Sequence, residues 1–150
     1  MAHLLGAESI SHSFPTKQVF KNITVGINEG DRIGVVGRNG DGKSTLLKIL
    51  TKQLQPDEGR VTWRGGLDIG FLRQQDNFSP ELTIAQVIVG DKPEHEWASD
   101  PKVRDVLAGL VADLNWNQSV ANLSGGQLRR VALAQLLVGD HDVICLLYTS

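Results

Sequence analysis

The 150-residue sequence holds a single cysteine, which excludes an internal disulfide. It also lacks long hydrophobic runs, since no segment approaches the roughly 18 consecutive apolar residues of a membrane-spanning helix. The first residues, MAHLLGAESISHSF, have no basic start followed by an apolar stretch, so we expect no signal peptide. These absences favour a cytoplasmic protein that is not inserted into a membrane.

A basic excess is absent as well. Fifteen Lys and Arg stand against 17 Asp and Glu, which gives a formal net charge of −2 at pH 7. Because nucleic-acid-binding domains usually carry a marked basic excess, the overall charge does not predict RNA or DNA binding. Any such contact would require a local basic patch or sequence outside these residues.

Hydrophobic periodicity predicts strands first and a helix after them. Residues 10–37 predict short strands separated by turns, with a turn at Asn28–Asp31. Within them, the β-branched run Arg32–Val36 predicts a strand buried on both faces. From Lys43 the apolar residues follow the period of a helix, with one face formed by Leu46, Leu47, Ile49, Leu50 and Leu54.

The rest of the chain mixes short strands with helices. Residues 83–114 are predicted to be helical, and the clearest helix spans Pro101–Leu114. Asp100 is its predicted N-cap, and proline occupies its first position. Further strands are predicted at Arg60–Trp63, Leu67–Leu72 and Asp142–Leu147.

A glycine-rich stretch, GRNGDGKS, fits the pattern G-x-x-x-x-G-K-[ST] between a predicted strand and a predicted helix. Glycines let the backbone curl so that N–H groups point at phosphate oxygens, and the helix N-terminus adds positive potential. Lys43 would reach the β- and γ-phosphates, and the Ser44 hydroxyl would ligate Mg²⁺. An ordinary strand–turn–helix joint is the alternative, but the lysine, the hydroxyl and the flanks together favour nucleotide binding. The candidate residues are Gly37, Arg38, Asn39, Gly40, Asp41, Gly42, Lys43, Ser44 and Thr45.

A second motif, LSGGQ, begins another predicted helix and comprises Leu123, Ser124, Gly125, Gly126 and Gln127. Ser124 alone could be an N-cap, and the two glycines a loose turn. The exposed N–H groups and the hydroxyl would equally form a second anion site at a helix terminus. Two such sites in one fold favour a phosphate that is gripped from both sides.

The two motifs in this order resemble the ATP-binding cassette family, in which LSGGQ is the signature motif. The resemblance covers nearly the whole chain and implies an α/β fold of the P-loop NTPase type. We expect a core with an antiparallel β portion over 1–75 and an α-helical subdomain over 76–122. Residues 123–144 would hold the signature helix and the start of the next strand of an incomplete RecA-like core. In that family two cassettes pack head to tail, and each ATP with its Mg²⁺ lies between one phosphate loop and the opposite signature.

The resemblance assigns roles to two further side chains. Gln74 matches the glutamine that contacts Mg²⁺ and the attacking water, with Gln75 as the alternative in the next register. Phe14 matches the aromatic residue that stacks on adenine, although Phe20 competes for this role. Arg129 and Arg130, just after the signature, are interpreted as solvated helix residues.

The chain departs from the family pattern after the signature helix. No acidic residue follows Asp142, whereas the family has a Mg²⁺-binding aspartate and a catalytic glutamate after this strand. We therefore expect ATP hydrolysis by a longer parent protein and almost none by this chain. The final CLLYTS can be encoded by TGTCTCTTATACACATCT, which resembles the end of a transposon-based sequencing adapter. Residues 145–150 are accordingly interpreted as a non-native tail.

Within the family, GDRIGVVGRNGDGKSTLLKIL and LSGGQLRRVALAQLLVGDHDVI look most like the ABC-F group, especially its Uup-like bacterial members. These are soluble proteins with two cassettes in one chain, and they act on or near the ribosome. The resemblance implies a second cassette and the ribosome as partners. Two alternatives stay open: the ATPase subunit of a transporter docked on its membrane domain, and an inert nucleotide-binding fragment. The short span from Gln74 to Ser124, where many ABC-F proteins carry a long arm, departs from the group.

Overall fold

The computed structural model describes residues 2–15, 17–38, 42–72 and 78–146. The chain divides into two compact units, with the boundary between Ile69 and Gly70. Among the described residues, the first unit holds a three-stranded sheet and a helix, and the second holds helices and a two-stranded sheet.

The first sheet consists of β1 (His3–Phe14), β2 (Lys17–Asn28) and β3 (Glu58–Trp63), in the order β2-β1-β3. Both outer strands run antiparallel to β1. Two long strands thus replace the several short strands predicted before Asn28. The pairing of β1 with β2 is interrupted by register shifts, and Ser9 and Asn22 have positive φ. Such irregularities bend a strand and increase its local twist.

One helix, α1 (Lys43–Leu50), packs against this sheet. Ile49 of the helix is 1% exposed and joins Leu5 and Ile10 of β1 in the core of the unit. Full burial of such a side chain contributes roughly 1.5–3 kcal/mol. The helix ends before Leu54, which was predicted on its apolar face and still packs against the same core.

The strand predicted at Arg32–Val36 is not formed. Residues 31–38 carry no regular secondary structure and belong to neither sheet. Val36 is 96% exposed and Ile33 is 52% exposed, whereas the prediction required burial on both faces. A buried parallel strand depends on neighbours that complete its hydrogen bonds. No strand in the described part of the chain supplies such a neighbour here.

The helices of the second unit are α2 (Ile84–Val89), α3 (Glu94–Trp97), α4 (Pro101–Leu110) and α5 (Gly125–Val138), with a 3-10 turn at Val120–Asn122. Ile84 of α2 and Val131 of α5 lie at the centre of their shared core, both 0% exposed. The prediction for α4 is confirmed at its start, where the Asp100 side chain accepts from the N–H of Lys102. Its predicted end at Leu114 is wrong by one turn.

Two short strands, β4 (Ile69–Leu72) and β5 (Val143–Leu146), pair in the second sheet. Leu72 and Ile144 pack with Leu136 of α5 in a separate apolar cluster. Both strands are shorter than predicted, and Leu147 lies outside the described residues.

Gly70 lies where β4 meets neighbouring side chains. A Cβ atom at this position would stand 2.6 Å from Cδ2 of His141 and 2.6 Å from Cδ1 of Leu136. We expect Gly70→Ala to destabilise the second unit by about 1–3 kcal/mol, because overpacking displaces these side chains. Urea unfolding followed by circular dichroism measures the change.

Gly109 of α4 provides the matched control, since a Cβ atom there meets nothing within 4 Å. Gly109→Ala is expected to leave stability unchanged or raise it by up to about 1 kcal/mol through helix propensity. Equal stabilities for Gly70→Ala and the unsubstituted chain would contradict this packing.

Candidate functional site

The glycine-rich loop ends at Gly42, whose backbone conformation fits the predicted turn. Gly42 is the N-cap of α1 and has φ 95°, a left-handed conformation that favours glycine. A side chain there would also overlap Cγ1 of Val19 on β2 and approach Phe20. The carbonyl of Gly42 accepts the first helical hydrogen bond, from the N–H of Leu46. Glycine is therefore required here both by the turn and by the sheet beneath it.

Lys43 opens α1, and its side chain turns back toward the loop. The ammonium Nζ donates to the carbonyl oxygen of Gly37 at 2.7 Å. The first N–H groups of a helix have no partner inside the helix, and the first turn of α1 carries no acidic residue. Positive potential from the ammonium and the helix end thus meets at the loop, which suits an anion.

The structure describes six of the nine loop candidates. Gly37 and Arg38 are exposed, and Ser44 and Thr45 are half-buried in the first turn of α1. The remaining three, Asn39, Gly40 and Asp41, lie outside the described residues, as do Gln74 and Gln75.

Ser44 and Gln74 were both expected to hold Mg²⁺, and of these two the structure describes Ser44. No group of three His, Cys, Asp or Glu in the described ranges could bind a metal ion by itself. A phosphate-bound Mg²⁺ needs few protein ligands, since substrate oxygens and water complete its shell.

Phe14 is the last residue of β1 and is 48% exposed. An aromatic ring with a free face can stack on a nucleobase. Phe20, the competing candidate, is half-buried and packs against the core of the first unit. Exposure therefore favours Phe14 for contact with a base.

LSGGQ lies at the start of α5, as predicted. Oγ of Ser124 accepts from the N–H of Gln127 at 3.2 Å, and Oε1 of Gln127 accepts from the N–H of Ser124 at 2.9 Å. This reciprocal pair is a capping box, which fixes the first turn. Leu123 before it packs against the helical core. The motif therefore anchors a helix end and leaves its outer side exposed.

Gly125 and Gly126 occupy the first turn of α5. No contact or backbone conformation in the described part of the chain requires glycine at either position. A Cβ atom on either residue would meet no described atom within 4 Å, and neither has positive φ. Glycine in a helix costs roughly 0.5–1 kcal/mol relative to alanine. The missing side chains leave room for another molecule to approach the helix end closely.

Arg130 is more than the solvated residue that the sequence suggested. Its guanidinium donates to Oδ1 and Oδ2 of Asp113, at 2.7 and 3.1 Å, and to the carbonyl of Leu110 at 3.0 Å. These bonds tie α5 to the end of α4. The hydrogen bond to Arg130 lowers the pKa of the Asp113 carboxyl, and the same bond raises the pKa of Arg130.

None of the helices that the structure describes is both long and apolar enough to cross a bilayer.

The family model described as ABC transporter matches residues 20–146. ATP-binding protein Uup of Buchnera aphidicola is 32% identical over 148 residues, an alignment covering 95% of this chain and 25% of that protein. Zinc import ATP-binding protein ZnuC of Hydrogenovibrio crunogenus is 32% identical over 152 residues, covering 95% and 59%. This chain thus spans between a quarter and three fifths of these relatives.

A solved structure shares the architecture. The cbiO1 protein of Clostridium perfringens, part of the ABC transporter complex cbiONQ, has a TM-score of 0.74 and 26% sequence identity. The match covers 97% of this chain and 65% of that one. The predicted fold class, a P-loop α/β core with an antiparallel β portion, is confirmed.

The Asp113–Arg130 pair predicts a pH dependence of stability. Because the pKa of Asp113 is lowered in the folded chain, its contribution is present above the usual Asp range and is lost as pH falls through the lowered value. We expect Asp113→Asn to reduce the loss of stability between about pH 5 and pH 2. Urea unfolding at a series of pH values measures this slope.

Asp105→Asn is the control, since Asp105 is an exposed carboxylate on α4. The free energy of unfolding of Asp105→Asn should depend on pH in the same way as that of the unsubstituted chain. A slope for Asp113→Asn that also matches the unsubstituted chain would show that the pair does not stabilise the folded state.

Proposed function

Because this chain belongs to the ABC transporter family, we propose that its glycine-rich loop binds the triphosphate of Mg-ATP. The observation that carries the proposal is the hydrogen bond from Nζ of Lys43 to the carbonyl of Gly37 at the N-terminus of α1. A phosphate oxygen can replace that neutral carbonyl, and the ammonium then faces an anion, so that Coulomb attraction is added to the hydrogen bond. Ser44 would then hold Mg²⁺, and Phe14 would stack on the base.

The signature would complete the site of a second cassette. In this proposal the hydroxyl of Ser124 and the N–H groups of Gly125 and Gly126 contact the γ-phosphate of an ATP that the partner cassette holds. The open space above the two glycines supports this role. The capping box supports it as well, since it fixes the helix end before the partner arrives.

Hydrolysis requires groups beyond phosphate binding. Residues 143–150 include no Asp or Glu that could bind Mg²⁺ or activate water, and Asp142 precedes β5. We propose that a longer parent protein hydrolyses ATP, with Gln74 contacting Mg²⁺ and water, and that this chain hydrolyses little or none.

For the parent we propose a two-cassette ATPase of the ABC-F type with a role in translation. The alignment with Uup spans 25% of that protein, which leaves room for a second cassette in such a chain. The loop and signature stretches quoted above support the same group. The coding sequence would test it, since this proposal requires a second phosphate loop and a second LSGGQ in the same polypeptide.

A transporter ATPase is the second candidate. The likeness to ZnuC and to cbiO1 favours it. Charge favours it too, because the unit from Gly70 to Tyr148 has six Lys and Arg against ten Asp and Glu. Such an acidic unit suits a protein partner better than RNA phosphates. A neighbouring membrane permease gene and a single cassette would support this candidate and contradict ABC-F.

ATP binding is tested at Lys43. We expect Lys43→Ala to weaken Mg-ATP binding by about tenfold or more, because a hydrogen bond to a charged group contributes about 1.5–3 kcal/mol. Isothermal titration calorimetry at fixed salt measures the affinity. Lys48→Ala is the control, because Lys48 is an exposed lysine in the last turn of the same helix. Equal affinities for the two variants would contradict phosphate binding by Lys43.

A phosphate-release assay tests the expected lack of turnover. The 150-residue chain with Mg-ATP should release phosphate at the background rate, because residues 143–150 include no Asp or Glu side chain. Steady-state turnover that Lys43→Ala abolishes would contradict this expectation.

A further inference from the structure

His12 is a buried polar side chain to which the proposed site assigns no role. It lies on β1 two residues before Phe14 and is 6% exposed. Neither ring nitrogen makes a hydrogen bond to any residue that the structure describes. A buried polar group without such a partner destabilises a fold, so a role beyond packing would explain its presence.

The ring of His12 lies between two phenylalanine rings. It meets Phe14 edge to face, with centroids 5.1 Å apart and an interplanar angle of 87°, and it lies 6.2 Å from Phe20. The edge-to-face arrangement is a favourable one for aromatic rings. Phe20 in turn lies near Gly42 at the start of α1, since a Cβ atom on Gly42 would stand 3.6 Å from Cδ1 of Phe20. The His12 ring therefore links the exposed Phe14 to Phe20, which lies near the end of the glycine-rich loop.

Asp57 holds this part of β1 from the other side. Its N–H donates to the carbonyl of Ser11 at 2.9 Å, and its Oδ2 accepts from the N–H and the hydroxyl of Ser13 at 2.8 and 3.2 Å. Its Oδ1 stands 3.6 Å from Nδ1 of His12. The backbone on both sides of His12 is thereby fixed, and a carboxylate faces the ring.

We propose that His12 is a positioning residue for the nucleobase. Its ring, fixed beside Asp57, holds the Phe14 ring in one orientation, so that the exposed face of Phe14 is ready to stack on adenine. A platform ordered in advance loses less conformational entropy when the base binds. This inference depends on the proposed binding of ATP and extends it to recognition of the base.

The test compares two ligands that differ by the nucleoside adenosine. The affinities of Mg-ATP and of Mg-tripolyphosphate are measured by calorimetry, and their ratio reports the contribution of the nucleoside. We expect His12→Ala to lower this ratio by roughly two- to tenfold, the range of one aromatic pair, and to leave tripolyphosphate binding unchanged. His12→Phe keeps the ring contact and should preserve the ratio.

His3→Ala is the matched control, because His3 is an exposed histidine at the far end of the same strand. It should change neither affinity. Equal weakening of both ligands by His12→Ala would identify His12 as a packing residue and overturn the inference. Equal binding of both ligands by the unsubstituted chain would also overturn the inference. If that binding still depended on Lys43, the proposed phosphate site would stand.

If the unsubstituted chain binds neither ligand, the proposed function fails and the inference fails with it. If circular dichroism shows that His12→Ala does not fold, His12→Leu replaces it as the test. Leucine fills the buried space but has no aromatic ring to meet Phe14, so the affinity ratio should fall. An unchanged ratio in this variant would overturn the inference.

Discussion

A left-handed glycine at the start of α1 is the constraint on which the candidate site depends. Gly42 allows the chain to turn from the loop into the helix, and its lack of a side chain lets it lie against Val19 and Phe20. This turn places Lys43 at the first helical position, from which its ammonium reaches the carbonyl of Gly37. The ammonium of Lys43 and the N-terminus of α1 therefore meet at the loop because Gly42 has no Cβ atom.

The two helix ends that carry glycine motifs differ in chemistry. The end of α1 has a lysine and no side-chain cap, so it presents positive charge. The end of α5 satisfies its first turn with the neutral pair Ser124 and Gln127, and its glycines leave space outside. A charged end suits primary binding of a triphosphate. A neutral, preformed end suits a second contact made after ATP is already held.

Local signals predicted the parts of the fold that depend on neighbouring residues. Asp100 caps α4, and Ser124 caps α5, because each cap bonds to an N–H two or three positions away. Contacts between residues far apart in the sequence could not be predicted from such local signals. Arg130 meets a carboxylate 17 positions earlier, and the β-branched run 32–36 predicted a strand without revealing whether neighbours would pair with it. The contact of His12 with Asp57 was hidden for the same reason.

Binding of ATP at this site requires Lys43 to exchange the Gly37 carbonyl for a phosphate oxygen. A crystal structure of this chain with Mg²⁺ and a non-hydrolysable ATP analogue would show the exchange. We expect Nζ of Lys43 within about 3 Å of a β- or γ-phosphate oxygen, with the Ser44 hydroxyl on the metal ion. An analogue bound elsewhere, with Lys43 still bonded to Gly37, would contradict it.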